Sequence, residues 1–138
     1  MFSKNKTRTA NIDTVIGQNT ILKGDVHFAG GLHVEGLIQG NLIANNKEKS
    51  ILVLSQKGRI EGDIRGSVVV LDGEVLGNVT ASVSLELAQH ARVKGNVSYK
   101  ILEMEGGATV NGVLSQLEST DQLITEESQP KLGKVSQD

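Results

Sequence analysis

Aliphatic and polar residues alternate along most of the chain. In RIEGDIR (59–65), residues 60, 62 and 64 are Ile, Gly and Ile, whereas the positions between them carry charge. The same period of two recurs in EVLGNV (74–79) and RVKGNV (92–97). Because successive side chains of a β-strand point to opposite faces, this pattern predicts short strands with aliphatic residues inside and charges outside.

The glycines in these segments mark an internal repeat. They are Gly24, Gly40, Gly62, Gly77, Gly95 and Gly112, at intervals of 16, 22, 15, 18 and 17 residues. The longest interval contains the polar segment ANNKEKS (44–50), which we interpret as a loop inserted into one repeat. In later repeats a second aliphatic run precedes the glycine. These runs are ILVL (51–54), VVVL (68–71), SLEL (84–87) and ILEM (101–104), and each is followed by turn residues. This period is typical of a chain that coils above itself, because hairpins would reverse at each turn.

We therefore predict an all-β fold, a parallel β-helix of about six coils. The predicted coils are residues 14–31, 32–50, 51–67, 68–82, 83–100 and 101–116. Residues 1–13 and 118–138 are mostly polar and lack the repeat, so we expect them to be disordered tails around a β-helix domain at 14–117.

The two end coils of this predicted stack are apolar and have no recognisable cap. Solenoids normally end in a polar coil or a helix, because an open end presents unpaired backbone groups over an apolar cross-section. We therefore predict end-to-end polymerisation. The expected contact residues are Ile16, Ile21 and Leu22 in the first coil, and Val110, Val113, Leu114 and Leu117 at the last. The alternative is that the tails fold over the ends.

A second candidate surface lies on the middle coils. The alternation turns one set of aliphatic side chains outward, namely Ile51, Val53, Val68 and Val70. The equivalent outward positions in later coils are Ser84, Glu86 and Glu103. This patch is a candidate docking site for a partner or a neighbouring filament. Coverage by the loop at 44–50 is the alternative.

Composition removes several classes of chemistry. The 138 residues carry a net charge of −2 and no cysteine, so no nucleic-acid binding, disulfide or thiolate metal site is expected. The chain has three aromatic residues, which agrees with a core of repeated aliphatic layers, since such a core needs few large rings. No phosphate-binding loop of the G-x-x-x-x-G-K-[ST] type and no G-x-S-x-G elbow is present. We assign no catalytic or cofactor-binding residue and expect no enzyme activity and no nucleotide.

The candidate metal ligands are better explained as surface residues. His27 and His33 are six residues apart and His90 lies several coils away, whereas zinc needs three or four converging ligands. The polar residue after the marker glycine is Asp25, Asn41, Asp63, Asn78 or Asn96. We interpret this series as outward, hydrogen-bonding side chains on consecutive coils, because calcium requires six to eight converging oxygens. No metal site is assigned.

The chain begins with MFSKNKTR, in which an apolar pair precedes three basic residues. Met1 and Phe2 suit insertion into a lipid interface, and Lys4, Lys6 and Arg8 suit anionic headgroups. An ordinary basic N-terminus is the alternative. The start lacks the apolar core of a secretory signal, and no segment approaches a membrane span of about 20 apolar residues. We therefore expect an intracellular protein.

With its glycine-marked coils, its bare ends and its MFSK start, the chain resembles the bactofilins, a family of bacterial cytoskeletal proteins. The resemblance covers roughly residues 12–117 and the N-terminal motif. It implies a right-handed parallel β-helix that polymerises without nucleotide into non-polar filaments, joined head-to-head and tail-to-tail. It also implies attachment to the inner face of the cytoplasmic membrane through Met1, Phe2, Lys4 and Lys6. The partners implied are cell-wall enzymes or their membrane adaptors, with a role in cell shape.

The chain departs from the family pattern at its C-terminal coil. Many members place an aromatic residue near the polymer contact there, and this chain has none after Tyr99. The contact at that end would then fall to residues such as Val113, Leu114 and Leu117.

Two other functions stay open. One is an enzyme built on a left-handed hexapeptide β-helix, an acyltransferase or a γ-type carbonic anhydrase, because IGQNTILKGDV (16–26) resembles a hexapeptide turn. Against it, strict six-residue runs do not persist and the histidines do not converge. The other is a monomeric binding module that uses the outward aliphatic patch.

Overall fold

The computed structural model describes residues 12–45 and 49–117, and within them every regular element is a β-strand. The strands are β1 (Ile12–Ile16), β2 (Ile21–Lys23), β3 (Val26–Phe28), β4 (Gly31–Val34), β5 (Leu37–Gln39), β6 (Leu42–Ala44), β7 (Ile51–Leu54), β8 (Arg59–Glu61), β9 (Ile64–Leu71), β10 (Glu74–Leu76), β11 (Val79–Leu87), β12 (Arg92–Lys94), β13 (Val97–Tyr99), β14 (Leu102–Met104), β15 (Thr109–Asn111) and β16 (Leu114–Gln116).

The strands stack into three faces of a parallel β-helix. The first face contains β1, β4, β7, the second halves of β9 and β11, and β14. The second face contains β2, β5, β8, β10, β12 and β15. The third contains β3, β6, the first halves of β9 and β11, β13 and β16. Since β9 and β11 run around a corner, each serves two faces. Three faces with six layers make six coils, and the predicted all-β parallel β-helix is confirmed.

The register of the strands lines up equivalent residues in columns. On the second face, the inward column is Leu22, Ile38, Ile60, Val75, Val93 and Val110. On the third face it is Val26, Leu42, Ile64, Val79, Val97 and Leu114. The middle members of both columns are fully or almost fully buried. The predicted division into inward aliphatic and outward charged positions is therefore confirmed for these coils.

The marker glycines form a column of their own at the corner between the second and third faces. A Cβ atom on Gly62 would lie 2.1 Å from the carbonyl oxygen of Gly40, and one on Gly77 would lie 2.2 Å from that of Gly62. The same contact repeats at Gly40, Gly95 and Gly112. Glycine therefore recurs because the backbone of the preceding coil passes where a side chain would begin.

The polar residue after each of these glycines forms a hydrogen-bonded ladder between coils. Asn41 N donates to Asp25 Oδ1 at 2.9 Å, and Asp63 N donates to Asn41 Oδ1 at 2.8 Å. The ladder continues through Asn78 and Asn96, with Oδ1 of one coil accepting the next backbone N–H at 2.9 Å each time. The interpretation of this series as a structural ladder is confirmed.

The boundaries differ slightly from those predicted. Because β1 begins at Ile12, the predicted domain start at residue 14 falls inside a strand. The inserted loop leaves the third face after Ala44 and returns at the buried Ser50, whose Oγ accepts a hydrogen bond from Ser67 N at 3.1 Å. Residues 46–48 of that loop lie outside the described residues. So do the two predicted tails, except for residues 12 and 13.

Candidate functional site: the open ends and outer faces of the coil

The C-terminal end of the stack is open within the described part of the chain. In the last complete interior coil, the inward side chains of Val97 and Leu87 are 0% exposed. Their counterparts one coil further, Leu114 and Met104, are 41% and 45% exposed. The sequence pattern is the same in both coils, so the difference arises because no described residue lies above the sixth coil.

The structure places the predicted contact residues of this end in different positions. Val110 and Leu114 are inward residues of the last coil. Val113 instead occupies the corner position of the Asp/Asn ladder, where Asn96 Oδ1 accepts its N–H at 3.0 Å, and it is 61% exposed. Leu117 is half-buried, and its N–H donates to the carbonyl of Tyr99.

Two apolar residues of this end were missed. Leu102 and Met104 in β14 are members of the first face's inward columns, next to Leu85 and Leu87 of the preceding coil. The alternation in ILEM would have identified both, since they are two residues apart in a run already predicted to be a strand.

The N-terminal end is also less enclosed than the middle of the stack. Leu22, one of the predicted end contacts, lies in the inward column of the second face and is half-buried. Ile16 is buried and therefore offers little surface to a partner. Ile21 points away from the core on the outer side of the second face and is 59% exposed. Val26 and Phe28, which were not selected as end contacts, are half-buried inward residues of this coil.

The outward aliphatic residues of the middle coils come together in one outer patch. Ile51 is paired with Val68, and Val53 is paired with Val70, on adjacent strands of the first face. All four are half-buried. Their chain neighbours Leu52, Leu54, Val69 and Leu71 are 0% exposed on the inner side. We call Ile51, Val53, Val68 and Val70 the outer patch.

The outer side of the second face is charged in the middle coils. Arg59 Nε lies 2.9 Å from Glu61 Oε2, and its Nη1 lies 2.6 Å from Glu74 Oε1 on the next coil. The hydrogen bond to Glu61, together with the negative charges of both carboxylates, raises the pKa of the Arg59 guanidinium. Such exposed ion pairs add little stability, and their role is to keep this face polar.

The three histidines are separated on the surface. His33 Nε2 lies 3.0 Å from Glu35 Oε2, and His90 Nδ1 lies 3.2 Å from Asp72 Oδ1. His27 is on the outer side of the third face. Within residues 12–45 and 49–117, no three His, Cys, Asp or Glu side chains gather into a group able to hold a metal ion. The same residues contain no helix that is long and apolar enough to span a membrane.

The fold is that of a β-solenoid whose last described coil leaves aliphatic side chains uncovered, an arrangement that is open to a further layer. A protein-family profile described as "Bactofilin: Polymer-forming cytoskeletal" matches residues 14–115. The chain therefore belongs to the bactofilin family, and the resemblance stated from its repeats is confirmed.

Individual relatives support the same family. Bactofilin BacO of Myxococcus xanthus is 31% identical over 85 residues, which are 62% of this chain and 63% of the relative. The match thus spans less than two thirds of that relative's length. A cryo-EM reconstruction of double helical filaments of Thermus thermophilus bactofilin matches with a TM-score of 0.69 at 28% identity, over 75% of this chain and 99% of that chain. A crystal structure of a point mutant of the Thermus protein matches with a TM-score of 0.60 at 28% identity, over 67% and 98% of the two chains.

Proposed function

We propose that this protein is a non-enzymatic scaffold that polymerises end to end, without nucleotide, into non-polar filaments on the inner face of the cytoplasmic membrane. These filaments organise enzymes of cell-wall synthesis or remodelling and so contribute to cell shape. Family membership establishes a polymer-forming cytoskeletal protein. The mode of contact, the membrane, the wall enzymes and the independence from nucleotide are the proposed parts.

The exposure of inward side chains in the last coil carries this proposal. Burying a Leu or Met side chain fully is worth about 1.5–3 kcal/mol, and Leu114 and Met104 have only part of that gain within one molecule. Apposing the sixth coils of two molecules would remove these side chains and the half-buried Leu102 and Val110 from water. This contact needs no bond cleavage, which is the basis for proposing assembly without nucleotide.

The Asp/Asn ladder favours filaments in which like ends meet. At the C-terminal end the ladder position is Val113, which has no side-chain oxygen. If another molecule stacked in register on the sixth coil, a backbone N–H of its first coil would lie over Val113. Val113 cannot accept this hydrogen bond, whereas Asp or Asn accepts the equivalent bond in every lower coil. Head-to-tail stacking would therefore lose one hydrogen bond per junction, worth about 1 kcal/mol. A tail-to-tail contact does not extend the ladder and incurs no such loss.

Membrane attachment is proposed from the sequence of the first eight residues, which lie outside the described residues. Met1 and Phe2 are suited to the lipid interface and Lys4, Lys6 and Arg8 to anionic headgroups, at about 1 kcal/mol for each basic residue. One copy would bind reversibly, but a filament with many copies would bind firmly through its multivalency. The role in the cell wall follows from the family resemblance alone.

The end contact is tested by Leu114→Lys, with Ser115→Lys as a matched control. Both substitutions are in β16, but position 114 belongs to an inward column and position 115 is on the outer side. Sedimentation and negative-stain microscopy in nucleotide-free buffer should show filaments for the wild type and for Ser115→Lys. Leu114→Lys should form only dimers joined through their intact N-terminal ends, measured by light scattering.

The mass of the Leu114→Lys particles also tests whether the subunits of the filament all point in the same direction. If filaments were head-to-tail, blocking one end would block every junction and leave monomers. Monomers would therefore contradict the non-polar arrangement, and long filaments of the folded variant would contradict the end contact itself.

Membrane attachment is tested by Phe2→Ala combined with Lys4→Ala in the full chain. Filaments should persist in sedimentation but no longer float with vesicles that contain anionic lipid. Lys94→Ala is the control, because it removes one positive charge from an outward position of the second face. Flotation of the double variant at the wild-type level would refute the membrane proposal while leaving polymerisation intact.

A further inference from the structure

We infer that Asn111 and Gly112 form a self-modifying site, at which an uncovered C-terminal end loses the Asn111 side-chain amide and a covered end keeps it. The modification is the spontaneous closure of a succinimide ring, followed by hydrolysis of that ring. The chemistry concerns the single molecule. Its suppression by a second molecule rests on the proposed end contact.

The first argument is the dipeptide itself. Asn is a chemically labile residue, and Asn is followed by Gly only at residues 111–112. Gly has no Cβ, so its backbone nitrogen can approach the preceding side chain with the least steric hindrance. In the lower coils the residues before the marker glycine are Lys23, Gln39, Glu61, Leu76 and Lys94. The dipeptide best suited to ring closure therefore lies in the last coil.

The second argument is the hydrogen bonding of the attacking nitrogen. Gly77 N donates to the Lys94 carbonyl at 3.0 Å, and Gly95 N donates to the Asn111 carbonyl at 3.1 Å. The same bond to the coil above is made by Gly24, Gly40 and Gly62. Within the described part of the chain, Gly112 N has no such acceptor, because no coil follows the sixth. The nitrogen that closes the ring is thus engaged in the lower coils and open in the last one.

The third argument is the freedom of the Asn111 side chain and backbone. Asn111 is exposed, and it ends the three-residue strand β15, which pairs only with β12. Ring closure requires the Asn111 carbonyl to rotate out of the strand. In this structure the bond from Gly95 N is the hydrogen bond that holds that carbonyl. An edge strand held on one side opens more readily than a strand held on both.

The pair Asp72–Gly73 provides a comparison inside the molecule. Asp before Gly can form the same ring, but here the carboxylate is held in place by the next coil. Its Oδ1 accepts the His90 N–H at 2.9 Å and lies 3.2 Å from His90 Nδ1. We therefore assign the reactive site to the last coil and not to this interior pair.

The reaction needs only water as a co-reactant. The Gly112 nitrogen forms a bond to Asn111 Cγ and gives up its proton to solvent, while the bond from Cγ to the side-chain nitrogen breaks and ammonia leaves. Water then opens the ring at one of its two carbonyls. One product is Asp with a normal backbone, and the other is isoaspartate, whose backbone is longer by one methylene. The rate should rise with pH, because the deprotonated amide nitrogen is the nucleophile.

Both products change the end surface. Each adds a negative charge, and two modified ends that meet would bring like charges together. Isoaspartate also lengthens the backbone directly before Gly112, which packs against the Gly95 carbonyl so closely that a Cβ has no room. The shift would displace Leu114, two residues further on. Modified ends should therefore join less readily than fresh ones.

The site is tested in the full chain by Lys94→Asn combined with Leu114→Lys. Position 94 pairs with position 111 in the same outward column, so this variant carries the same dipeptide in the fifth and in the sixth coil. After incubation in mildly alkaline buffer, mass spectrometry of peptides should show amide loss about tenfold faster at 111 than at 94, since opening at 94 breaks bonds to two coils. In urea the two rates should be similar. Equal rates in the folded protein would refute the site.

Protection by stacking is tested with the single variants Leu114→Lys and Ser115→Lys. Leu114→Lys leaves every C-terminal end uncovered under the proposed contact, and it should lose the Asn111 amide in all subunits. Filaments of the wild type and of Ser115→Lys should lose it about tenfold more slowly, because the end is then held on both sides. Filaments that are modified as fast as Leu114→Lys would refute the protection.

The effect on assembly is tested by Asn111→Asp, with Asn111→Gln as the matched control. Asn111→Asp supplies the charge of the product at once, and it should raise severalfold the protein concentration at which filaments sediment. Asn111→Gln keeps an amide and should assemble as the wild type does. Assembly of Asn111→Asp at the wild-type concentration would contradict this effect of the charge.

The two levels of proposal fail differently. Wild-type protein that forms no filaments contradicts the proposed function, but the comparison of positions 94 and 111 still decides the modification site. Filaments that form and show equal amide loss at those two positions in the uncovered variant contradict this inference alone.

Discussion

The fifth and sixth coils carry nearly the same pattern but have different surroundings. In the fifth coil, Leu85, Leu87, Val93 and Val97 are removed from water by coils on both sides. In the sixth, the residues at the same four column positions are Leu102, Met104, Val110 and Leu114, and all remain partly or largely exposed. All eight residues are aliphatic or Met, and the main difference is that the described residues include no layer above the sixth coil.

This comparison shows that a coil of this kind is a unit that cannot bury its own core. Each coil contributes one layer of aliphatic side chains, and that layer becomes interior only when a second layer covers it. The interior coils complete one another within the chain. The last coil requires a layer from outside the described residues, which a second molecule of the same kind can supply.

The largest expected effect is on the free energy of unfolding when a charge is introduced into one inward column, either in the fifth coil or in the sixth. Val97→Lys should lower the free energy of unfolding by more than about 4 kcal/mol, because an unpaired charge is then enclosed. Leu114→Lys should lower it by less than about 1 kcal/mol, since the ammonium group can reach water. Urea denaturation followed by circular dichroism measures both. Equal losses would mean that the two coils are enclosed to the same extent.

The next effect concerns the backbone contact that makes the coils stack. Gly62→Ala should cost about 3 kcal/mol, because its Cβ would meet the Gly40 carbonyl carbon and oxygen, which belong to the backbone and cannot move aside. Gly66→Ala in the same coil is the control. There a Cβ finds only ordinary contacts, the closest at 3.4 Å from Val69, and the neighbouring coils carry Ala44 and Ala81 at that position.

Thermal unfolding of the two alanine variants is the measurement. Gly66→Ala should be within about 0.5 kcal/mol of the wild type. If Gly62→Ala were equally mild, the coils would be free to separate at the glycine column, and the steric reason for the repeat would be wrong.

The smallest effect concerns the ladder. Asn78→Ala removes the oxygen that accepts the Asn96 N–H at 2.9 Å and should cost about 1 kcal/mol. Asn111→Ala, on the outer side of the second face in the last coil, is the control and should change the free energy of unfolding by less than about 0.5 kcal/mol. A loss at position 111 as large as that at position 78 would show that the ladder bond is not the cause.

The sequence predicted a large part of this architecture. The repeat spacing, the inward and outward positions and the outer patch all follow from a period of two combined with a coil of about 17 residues. These features are local, because a side chain's face is set by its position in its own strand. That is why Ile51 and Val68 were correctly predicted to lie outward before their pairing was known.

The end residues were predicted less well. Ile21 is on the outer side of its strand, Val113 is at the ladder corner, and Ile16 is buried. The outward positions of Ile21 and Val113 could have been read from the sequence, since Ile21 precedes the inward Leu22 and Val113 follows the marker glycine Gly112. The burial of Ile16 could not, because it depends on the coil stacked beside it.

The sequence by itself determined which residues face inward and which outer positions are charged, because these follow from strand geometry within one repeat. It also showed where glycine recurs, but the reason, the backbone of the preceding coil, appears only in the tertiary structure. The tertiary structure alone decided how much of each inward side chain meets water. Burial of a residue here depends on partners one coil above and below, 15 to 22 residues away in the chain, and within residues 12–45 and 49–117 the last coil has such a partner on one side only.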